Sequence, residues 1–215
     1  MKGENKREWL RWAKQVQAIS QSGLTFTRDP YDVERYEQLQ RLAAEMMSHH
    51  CDTETAVIHN LFTQHTGYAT PKVGVRAAVF RENVAGSEIL MVKETYGDAL
   101  WTVPGGYADV GDSPSEAIVR EVWEETGYEV KPVKLTAVYD IDKQGQPERP
   151  FSLYRLFFLC KIIGGQPIDG NVEIEAVDFF PQQKLPPLSS DKITKPQISR
   201  QFDHFQQPDL ATDFD

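Results

Sequence analysis

Residues 105–128 constrain the fold of this chain more than any other segment. A pair of glycines and a short polar turn precede a helix whose two ends are both marked in the sequence. The run Ser113-Pro114-Ser115-Glu116 matches a capping box with proline at the first helical position, which predicts that the helix begins there. Gly127 predicts where it ends. With both ends marked, the register of the helix follows.

That register gathers negative charge on one side of the helix. At about 100° per residue, Glu121, Glu124 and Glu125 fall in one wedge that borders the apolar stripe, and Arg120 is predicted to stand apart from it. Like charges one turn apart destabilise a helix, and the dipole disfavours anions near its C-terminal end. A bound divalent cation would offset both effects, and oxygen ligands favour Mg²⁺ or Mn²⁺. The alternative is a solvated acidic face.

The glycines before the helix add to this hypothesis. Gly105 and Gly106 permit a close approach of the backbone to a ligand, or a positive φ that other residues rarely adopt. A glycine turn alone is commonly just a turn. The glycine turn, the capped helix and the acidic wedge together indicate a site that binds a metal or another ligand.

The rest of the chain divides into three parts. Residues 1–66 show helical spacing, as in Trp12 and Ile19, with a break predicted at Ser22-Gly23 and a second helix starting at Asp29-Pro30. Residues 67–206 mix strands and helices without regular βαβ alternation, which favours an α+β class. Residues 207–215 are predicted to be a flexible tail. Strands are predicted at 73–80, 88–93, 100–103, 133–139, 151–163 and 176–180, and a closing helix at 193–205.

Composition narrows the classes of function. The formal net charge of −9 disfavours general binding to nucleic acid, because phosphate backbones repel an acidic chain. The first residues are charged and lack the apolar stretch of a signal peptide, and we expect no membrane-spanning segment. The two cysteines have no metal-binding spacing and are expected to be reduced thiols. These features together predict a cytoplasmic protein.

The segment resembles the Nudix box, whose pattern is G-x5-E-x7-R-E-U-x-E-E-x-G-U with U an aliphatic residue. Gly106, Asp112, Arg120-Glu121, Glu124-Glu125 and Gly127 align with it without a gap. The sequence departs from the pattern at Asp112, where the pattern has glutamate, and at its last position, which is a tyrosine.

The likeness extends beyond the box to one subgroup. The runs VRAAVF, LWTVPGGYADVGDSP and LPPLSSDKIT, with helices in front, resemble Nudix enzymes that cleave X-linked nucleoside diphosphates, such as ADP-ribose and CDP-choline pyrophosphatases. Tyr107 stands where that subgroup has tryptophan. The resemblance implies an α/β/α sandwich around a mixed sheet, preceded by a small all-helical domain. It also implies a Mg²⁺-dependent hydrolase, with Mn²⁺ as the other candidate metal.

The resemblance also implies roles for individual residues. The metal ligands would be Glu121, Glu124, Glu125 and the carbonyl of Gly106. Arg120 would pair with the shorter acid Asp112 and so orient the loop.

The proton of the attacking water needs an acceptor, and three glutamates are candidates. Glu121 or Glu124 could take it from within the box, and Glu173 could take it from a later loop, as in many enzymes of the family. For Glu173 the alternative is a plain surface position.

Three further residues are predicted to bind substrate. Arg76 has the forked guanidinium that suits a phosphate, although a salt bridge to a nearby acid would also explain it. Trp101 and Tyr107 could stack on a base, although packing in the core is the common role of such aromatic side chains.

Two other functions remain open at this stage. A Nudix-fold sensor would bind a nucleotide without cleaving it, which the intact glutamates disfavour. An RNA-directed Nudix hydrolase is disfavoured by the acidic charge. The predicted partner is a small-molecule nucleotide. The apolar stripes of the N-terminal helices predict a homodimer, or helices that cover the cleft of a partner subunit; the alternative is that the stripes pack among these helices themselves.

Overall fold

A computed structural model of the chain describes residues 5–84, 86–97, 99–147 and 149–215, with side chains from residue 8 onward. The chain forms two compact units. One comprises residues 1–71 and 148–152, and the other comprises residues 72–147 and 153–215. Within the described residues, every helix is too short or too polar to cross a bilayer.

The first unit is helical. Helix α1 spans Asn5–Phe26, α2 spans Pro30–Ser48 and α3 spans Thr55–Thr63. The predicted start of α2 is confirmed, because the side chain of Asp29 accepts hydrogen bonds from the N–H groups of Tyr31 and Asp32. The small core of this unit contains Leu10, Ala13, Ala43, Ala44, Met47, Ile58 and Phe62.

The predicted break at Ser22-Gly23 is wrong, because α1 continues to Phe26. Gly23 instead lies where α1 meets α2. A Cβ atom added to Gly23 would lie 2.4 Å from ring atoms of Tyr36. The glycine therefore permits close packing between the helices and does not mark a helix end.

The second unit is a seven-stranded mixed sheet with helices on both faces, which confirms the predicted sandwich. Its elements are β1 (Lys72–Asn83), β2 (Gly86–Glu94), β3 (Trp101–Thr102), α4 (Pro114–Thr126), β4 (Tyr128–Asp140), β5 (Leu153–Gly165), β6 (Ile174–Pro181), α5 (Lys195–Gln206) and β7 (Asp213–Phe214). The strand order is β3-β2-β1-β5-β4-β7, with β6 paired to β2. The β1–β5 and β4–β7 pairs are parallel and the others are antiparallel.

Alternate residues of β1 face opposite helices, as the period of two in a strand requires. Val75 and Val79 pack in a cluster with Val122 of α4. Ala78 packs in the other cluster with Phe202 of α5. The two faces of the sheet therefore have separate cores.

Strand β1 carries hydrogen bonds on both of its edges. Its residues 72–79 pair with β5, and its residues 80–83 pair with β2. Where β2 no longer pairs with β1, the glycine loop takes its place. The N–H of Val75 donates to the Gly106 carbonyl at 2.9 Å, and the N–H of Ala77 donates to the Pro104 carbonyl at 2.8 Å.

Helix α4 begins and ends as predicted. Ser113 Oγ accepts a hydrogen bond from the Glu116 N–H at 3.3 Å, and the Glu116 carboxylate accepts one from the Ser113 N–H at 2.9 Å. Gly127 follows the last helical residue with a φ of 75°, in the left-handed region.

The C-terminal residues, expected to be a flexible tail, include an ordered strand. Strand β7 pairs in parallel with β4. Arg200 donates to both carboxylate oxygens of Asp213 at 2.5 and 2.8 Å, and His204 Nε2 lies 3.2 Å from the same carboxylate. Lys134 Nζ donates to the carbonyls of Pro208 and Leu210. Lys134 lies more than seventy residues before the segment, and the polar composition of the segment does not reveal these contacts.

We expect Asp213→Ala to lower the free energy of unfolding by about 1–2 kcal/mol, because Arg200, His204 and the hydroxyl of Tyr139 lose their shared acceptor. Urea unfolding at pH 7 measures the change. Asp209→Ala, at an exposed position of the same segment, is the control and should leave the midpoint unchanged. Equal stability of the two variants would contradict the docking of β7.

The difference between wild type and Asp213→Ala should also depend on pH. The hydrogen bond from Arg200 lowers the pKa of Asp213 in the folded protein. The stabilisation is therefore complete above the unfolded pKa of about 3.9 and is lost as the pH falls through the lower folded value. The difference between the unfolding free energies of the two proteins should be constant near pH 7 and should shrink as the pH falls below about 4.

Candidate active site

The glycine loop lies directly against β1 and against α4. Gly105 has a φ of 138°, and a Cβ atom there would lie 2.2 Å from the carbonyl oxygen of Val75. A Cβ atom on Gly106 would lie 2.7 Å from both carboxylate oxygens of Glu121. Position 105 needs glycine for its conformation and for the strand contact, whereas a side chain at position 106 would displace the carboxylate of Glu121.

Glu125 is the most deeply buried of the three glutamates on α4. Its side chain accepts a hydrogen bond from the N–H of Gly105 at 2.8 Å, and only 8% of the residue is exposed. Burial raises the pKa of Glu125 to about 8, although Arg76 and the Gly105 N–H both oppose the rise. Burial also raises the pKa of Glu121, although Arg120 opposes the rise. Burial therefore makes the charged forms of both glutamates costly unless a cation or a proton compensates them.

Arg76 is the buried cation of this cluster, with 6% of its surface exposed. Burial lowers its pKa, while the charges of Glu125, Glu94, Glu121 and Asp191 raise it. Among the described residues, Nε and Nη1 of Arg76 have no hydrogen-bond partner. The structure therefore places a desolvated guanidinium with unused donors beside several carboxylates.

Arg120 does not stand apart from the glutamate wedge, so that prediction is wrong. Its guanidinium lies 3.0 Å from Glu121 and 3.2 Å from Glu124. Residues 120 and 124 are one helical turn apart, which brings their side chains together. The implied pairing with Asp112 is direct, at 3.0 Å, and Asp109 lies 3.1 Å away. Arg120 thus connects the loop before α4 to the glutamates on it.

The structure brings only some of the implied metal ligands to the glycine loop. Glu121 and Glu125 both contact the glycine loop, whereas Glu124 is about half exposed and pairs with Arg120. Throughout the described parts of the chain, no three His, Cys, Asp or Glu side chains are grouped as a metal centre. The carbonyl of Gly106 accepts from the N–H of Val75, which uses one of its two lone pairs.

Glu173 lies in the loop before β6, and its side chain is exposed. The neighbouring Asn171 donates from Nδ2 to the backbone carbonyl of Glu124 at 2.9 Å. The structure therefore ties the Glu173 loop to the same end of α4 that carries the glutamate wedge.

The two aromatic candidates occupy different environments. Trp101 is partly buried and packs edge-on against Phe180, with ring centroids 4.7 Å apart, so it belongs to a core cluster. Tyr107 is 53% exposed beside the glycine loop, and Lys72 Nζ lies 5.8 Å from the centre of its ring.

No sequence pattern indicates a role for two further charged residues, Glu94 and Lys192. Lys192 Nζ is paired with the carboxylate of Glu94. Glu94 ends β2 and acts on the charge of Arg76, so the pair belongs to the same charged cluster. The loop that carries Lys192 is held to β3 by a hydrogen bond from the Ser189 N–H to the Trp101 carbonyl at 2.9 Å. Only the folded chain brings these positions together.

Comparison with known proteins finds relatives of both parts of the chain. Residues 70–202 match the model of the NUDIX domain, and residues 7–62 match a domain described as UDP-X-like, N-terminal oligomerisation domain. A Bacillus subtilis (strain 168) protein, YjhB, provisionally described as an ADP-ribose pyrophosphatase, is 44% identical over 97% of each chain.

Two solved structures are also similar. The crystal structure of a UDP-X diphosphatase shares 33% identity and covers 98% of this chain and 99% of its own, with a TM-score of 0.61. That of an ADP-ribose pyrophosphatase from Streptococcus suis 89-1591 shares 34% identity and covers 68% of this chain and 100% of its own, with a TM-score of 0.60.

Gly105→Ala should destabilise the protein by about 3 kcal/mol or more, because it adds both a disfavoured φ and a clash with the backbone of β1. Gly111→Ala is a matched control, since its φ is 107° but a Cβ atom there would meet nothing within 4 Å. We expect the control to cost about 1 kcal/mol from the backbone conformation alone. Thermal and urea unfolding compare the two, and equal losses would refute the close approach at Gly105.

Proposed function

The chain belongs to the Nudix hydrolase family, and on that premise we propose that it cleaves the pyrophosphate bond of a nucleoside diphosphate linked to a second group X. The products are a nucleoside monophosphate and phospho-X, with one water consumed. ADP-ribose and CDP-choline represent the class of substrate.

The cluster of Glu121, Glu125 and Arg76 at the glycine loop carries this proposal. Its buried carboxylates suit a cation, and its buried guanidinium with unused donors suits a phosphate oxygen. The similar proteins support the substrate class. Two are described as ADP-ribose pyrophosphatases, one of them provisionally, and the third is described as a UDP-X diphosphatase.

The residues present fit a divalent metal. The carboxylates of Glu121 and Glu125 both lie at the glycine loop, where burial disfavours their charged forms, and a bound cation would offset that cost. We propose that these two residues, Glu124 and the carbonyl of Gly106 hold Mg²⁺, with Mn²⁺ as a substitute. When bound, the metal would supply Lewis-acid neutralisation of charge on the phosphate oxygens.

The protein residues bind and orient the reactants. Arg76 donates to a phosphate oxygen, and Arg120 holds the glutamates and Asp112 in their relative positions. A water attacks one phosphorus atom as the bond to the bridging oxygen breaks, and a carboxylate takes the proton of the water. Glu173 is our first choice for that carboxylate, because it lies outside the pairing with Arg120 that engages Glu121 and Glu124.

We propose that the surface beside the glycine loop binds the nucleoside. Tyr107 is the better stacking candidate, because its ring is more than half exposed next to Gly106. Trp101 packs against Phe180, and we assign it a supporting role under the site.

Glu125→Gln and Glu121→Gln should each lower kcat by about 1,000-fold in the presence of Mg²⁺, because catalysis of phosphoryl transfer rests on positioning and charge. The assay follows release of a phosphate monoester from ADP-ribose, CDP-choline and UDP-sugars. Glu82→Gln, at an exposed position on the same sheet, is the control and should keep full activity.

The results of these assays distinguish the proposed hydrolase from a sensor and from an RNA-directed enzyme. Failure of every candidate to release product, or full activity in the two glutamate variants, would refute the proposal. Ligand binding without turnover would indicate a sensor. RNA binding that weakens steeply with salt would indicate an RNA-directed enzyme.

We also propose that the protein is a homodimer formed through α1. Trp12, Ile19 and Phe26 are exposed at 46%, 59% and 67%, and a spacing of seven residues puts them on one helix face. The match of residues 7–62 to an oligomerisation domain supports a second copy as the partner of this face.

Ile19→Asp should shift the protein from dimer to monomer at micromolar concentration, because it places a charge in the centre of this apolar stripe. Light scattering after size exclusion measures the mass. Thr53→Asp, at an exposed position outside α1, should remain dimeric. A monomeric wild-type protein would remove the proposal.

A cytoplasmic location is part of the same proposal. Cys51 and Cys160 are unpaired, as expected for a reducing compartment. Burial raises the pKa of Cys160 to about 12, so this thiol stays protonated and unreactive.

A further inference from the structure

The side chain of Asn171 joins two segments that each carry a candidate catalytic glutamate. Its Nδ2 donates to the backbone carbonyl of Glu124 at 2.9 Å. Its Oδ1 accepts from the N–H groups of Glu173 and Ile174, both at 2.8 Å. One amide group thus fixes the distance between the end of α4 and the backbone of Glu173.

The contact lies at a helix end that needs hydrogen-bond donors. The last carbonyls of a helix have no partner within the helix. For α4, the N–H of Ile168 donates to the Thr126 carbonyl at 3.1 Å, and the N–H of Gln166 donates to the Gly127 carbonyl at 3.2 Å. Asn171 supplies the side-chain donor to this end, and it is the contact that also reaches Glu173.

Glu173 is held from its other side as well. Its carbonyl accepts from the N–H of Thr95, just after β2, at 2.8 Å. Gly170 makes the bend before Asn171 with a φ of 104°, and a Cβ atom there would lie 2.8 Å from the Ile174 carbonyl. The backbone of Glu173 is therefore fixed while its side chain remains exposed.

We propose that Asn171 is a positioning residue that holds Glu173 in place to accept the proton of the attacking water. The proposal rests on the proposed function. It assigns Asn171 no contact with the substrate or the metal. Asparagine suits this role because one short side chain supplies both a donor for the helix carbonyl and an acceptor for the loop N–H groups.

A double-mutant cycle with Asn171→Ala and Glu173→Gln tests the proposal. Removal of a general base lowers kcat by about 100-fold or more, and we expect this of Glu173→Gln. We expect Asn171→Ala to lower kcat about 10-fold with KM changed less than about 3-fold, because misplacement of a catalytic group affects the chemical step. In the Glu173→Gln background, Asn171→Ala should change kcat by less than about 2-fold, since the two residues act together.

Mn²⁺ binding, measured by calorimetry without substrate, separates positioning from damage to α4. Asn171→Ala should leave the Kd for Mn²⁺ within about 2-fold of wild type, because the residue acts through Glu173 and not through the metal ligands. A loss of Mn²⁺ affinity as large as the loss of kcat would overturn the proposal, as would an equal loss of kcat in both backgrounds.

A second variant keeps the test decisive if Asn171→Ala folds poorly. Asn171→Asp keeps an acceptor for the two loop N–H groups but sets a carboxylate oxygen, which cannot donate, against the Glu124 carbonyl. Its cycle with Glu173→Gln replaces the first, and its loss of kcat should likewise disappear in the Glu173→Gln background. Gln182→Ala is the control for loss of a side-chain amide, since Gln182 donates to Ser199 away from these contacts, and its kcat should match wild type.

Different results would refute the proposed function and the proposed role of Asn171. If the wild-type protein releases no product from any nucleoside diphosphate-X, the proposed function fails. If product forms and Glu173→Gln retains the full rate, the proposed function stands and the role of Asn171 is refuted.

Discussion

The backbone contact between Gly105 and strand β1 is the constraint on which the candidate site depends. Where β2 leaves β1, the loop after β3 takes over the hydrogen bonds of the strand, through the carbonyls of Pro104 and Gly106. A residue with a side chain at position 105 would collide with Val75. The same peptide donates its N–H to Glu125, so the position of the loop also fixes the buried end of the acidic helix.

The charges of the site are balanced only in part. Arg76 is buried beside several carboxylates without using all of its donors, and the pKa values of Glu121 and Glu125 are raised by burial. A buried charge is costly unless it is paired. A cation and an anion bound together would offset this cost, which is the physical basis of the proposed binding of a metal with a pyrophosphate.

Local signals in the sequence predicted local structure well. The cap at Ser113 and the stop at Gly127 fix the helix of the site, and both depend on neighbours within a few residues. Predictions failed where distant residues decide. Gly23 accommodates the ring of Tyr36 and does not end a helix. The error at Arg120 is local, because its long side chain reaches Glu124 one helical turn away. The contacts of Asn171 with Glu173 and Ile174 are local, but its contact with the Glu124 carbonyl spans 47 residues, and no sequence pattern indicates it.

The docked C-terminal segment also affects how the protein meets other chains. Strand β4 would otherwise present unpaired backbone groups at the edge of the sheet, and such an edge is a template for pairing with another molecule. The parallel contact of β7 with Ala137 and Val138, together with the hydroxyl of Thr212 on the carbonyl of Leu135, occupies part of that edge. By covering part of this edge, the segment disfavours edge-to-edge aggregation, an effect that measurements of folding free energy alone would not reveal.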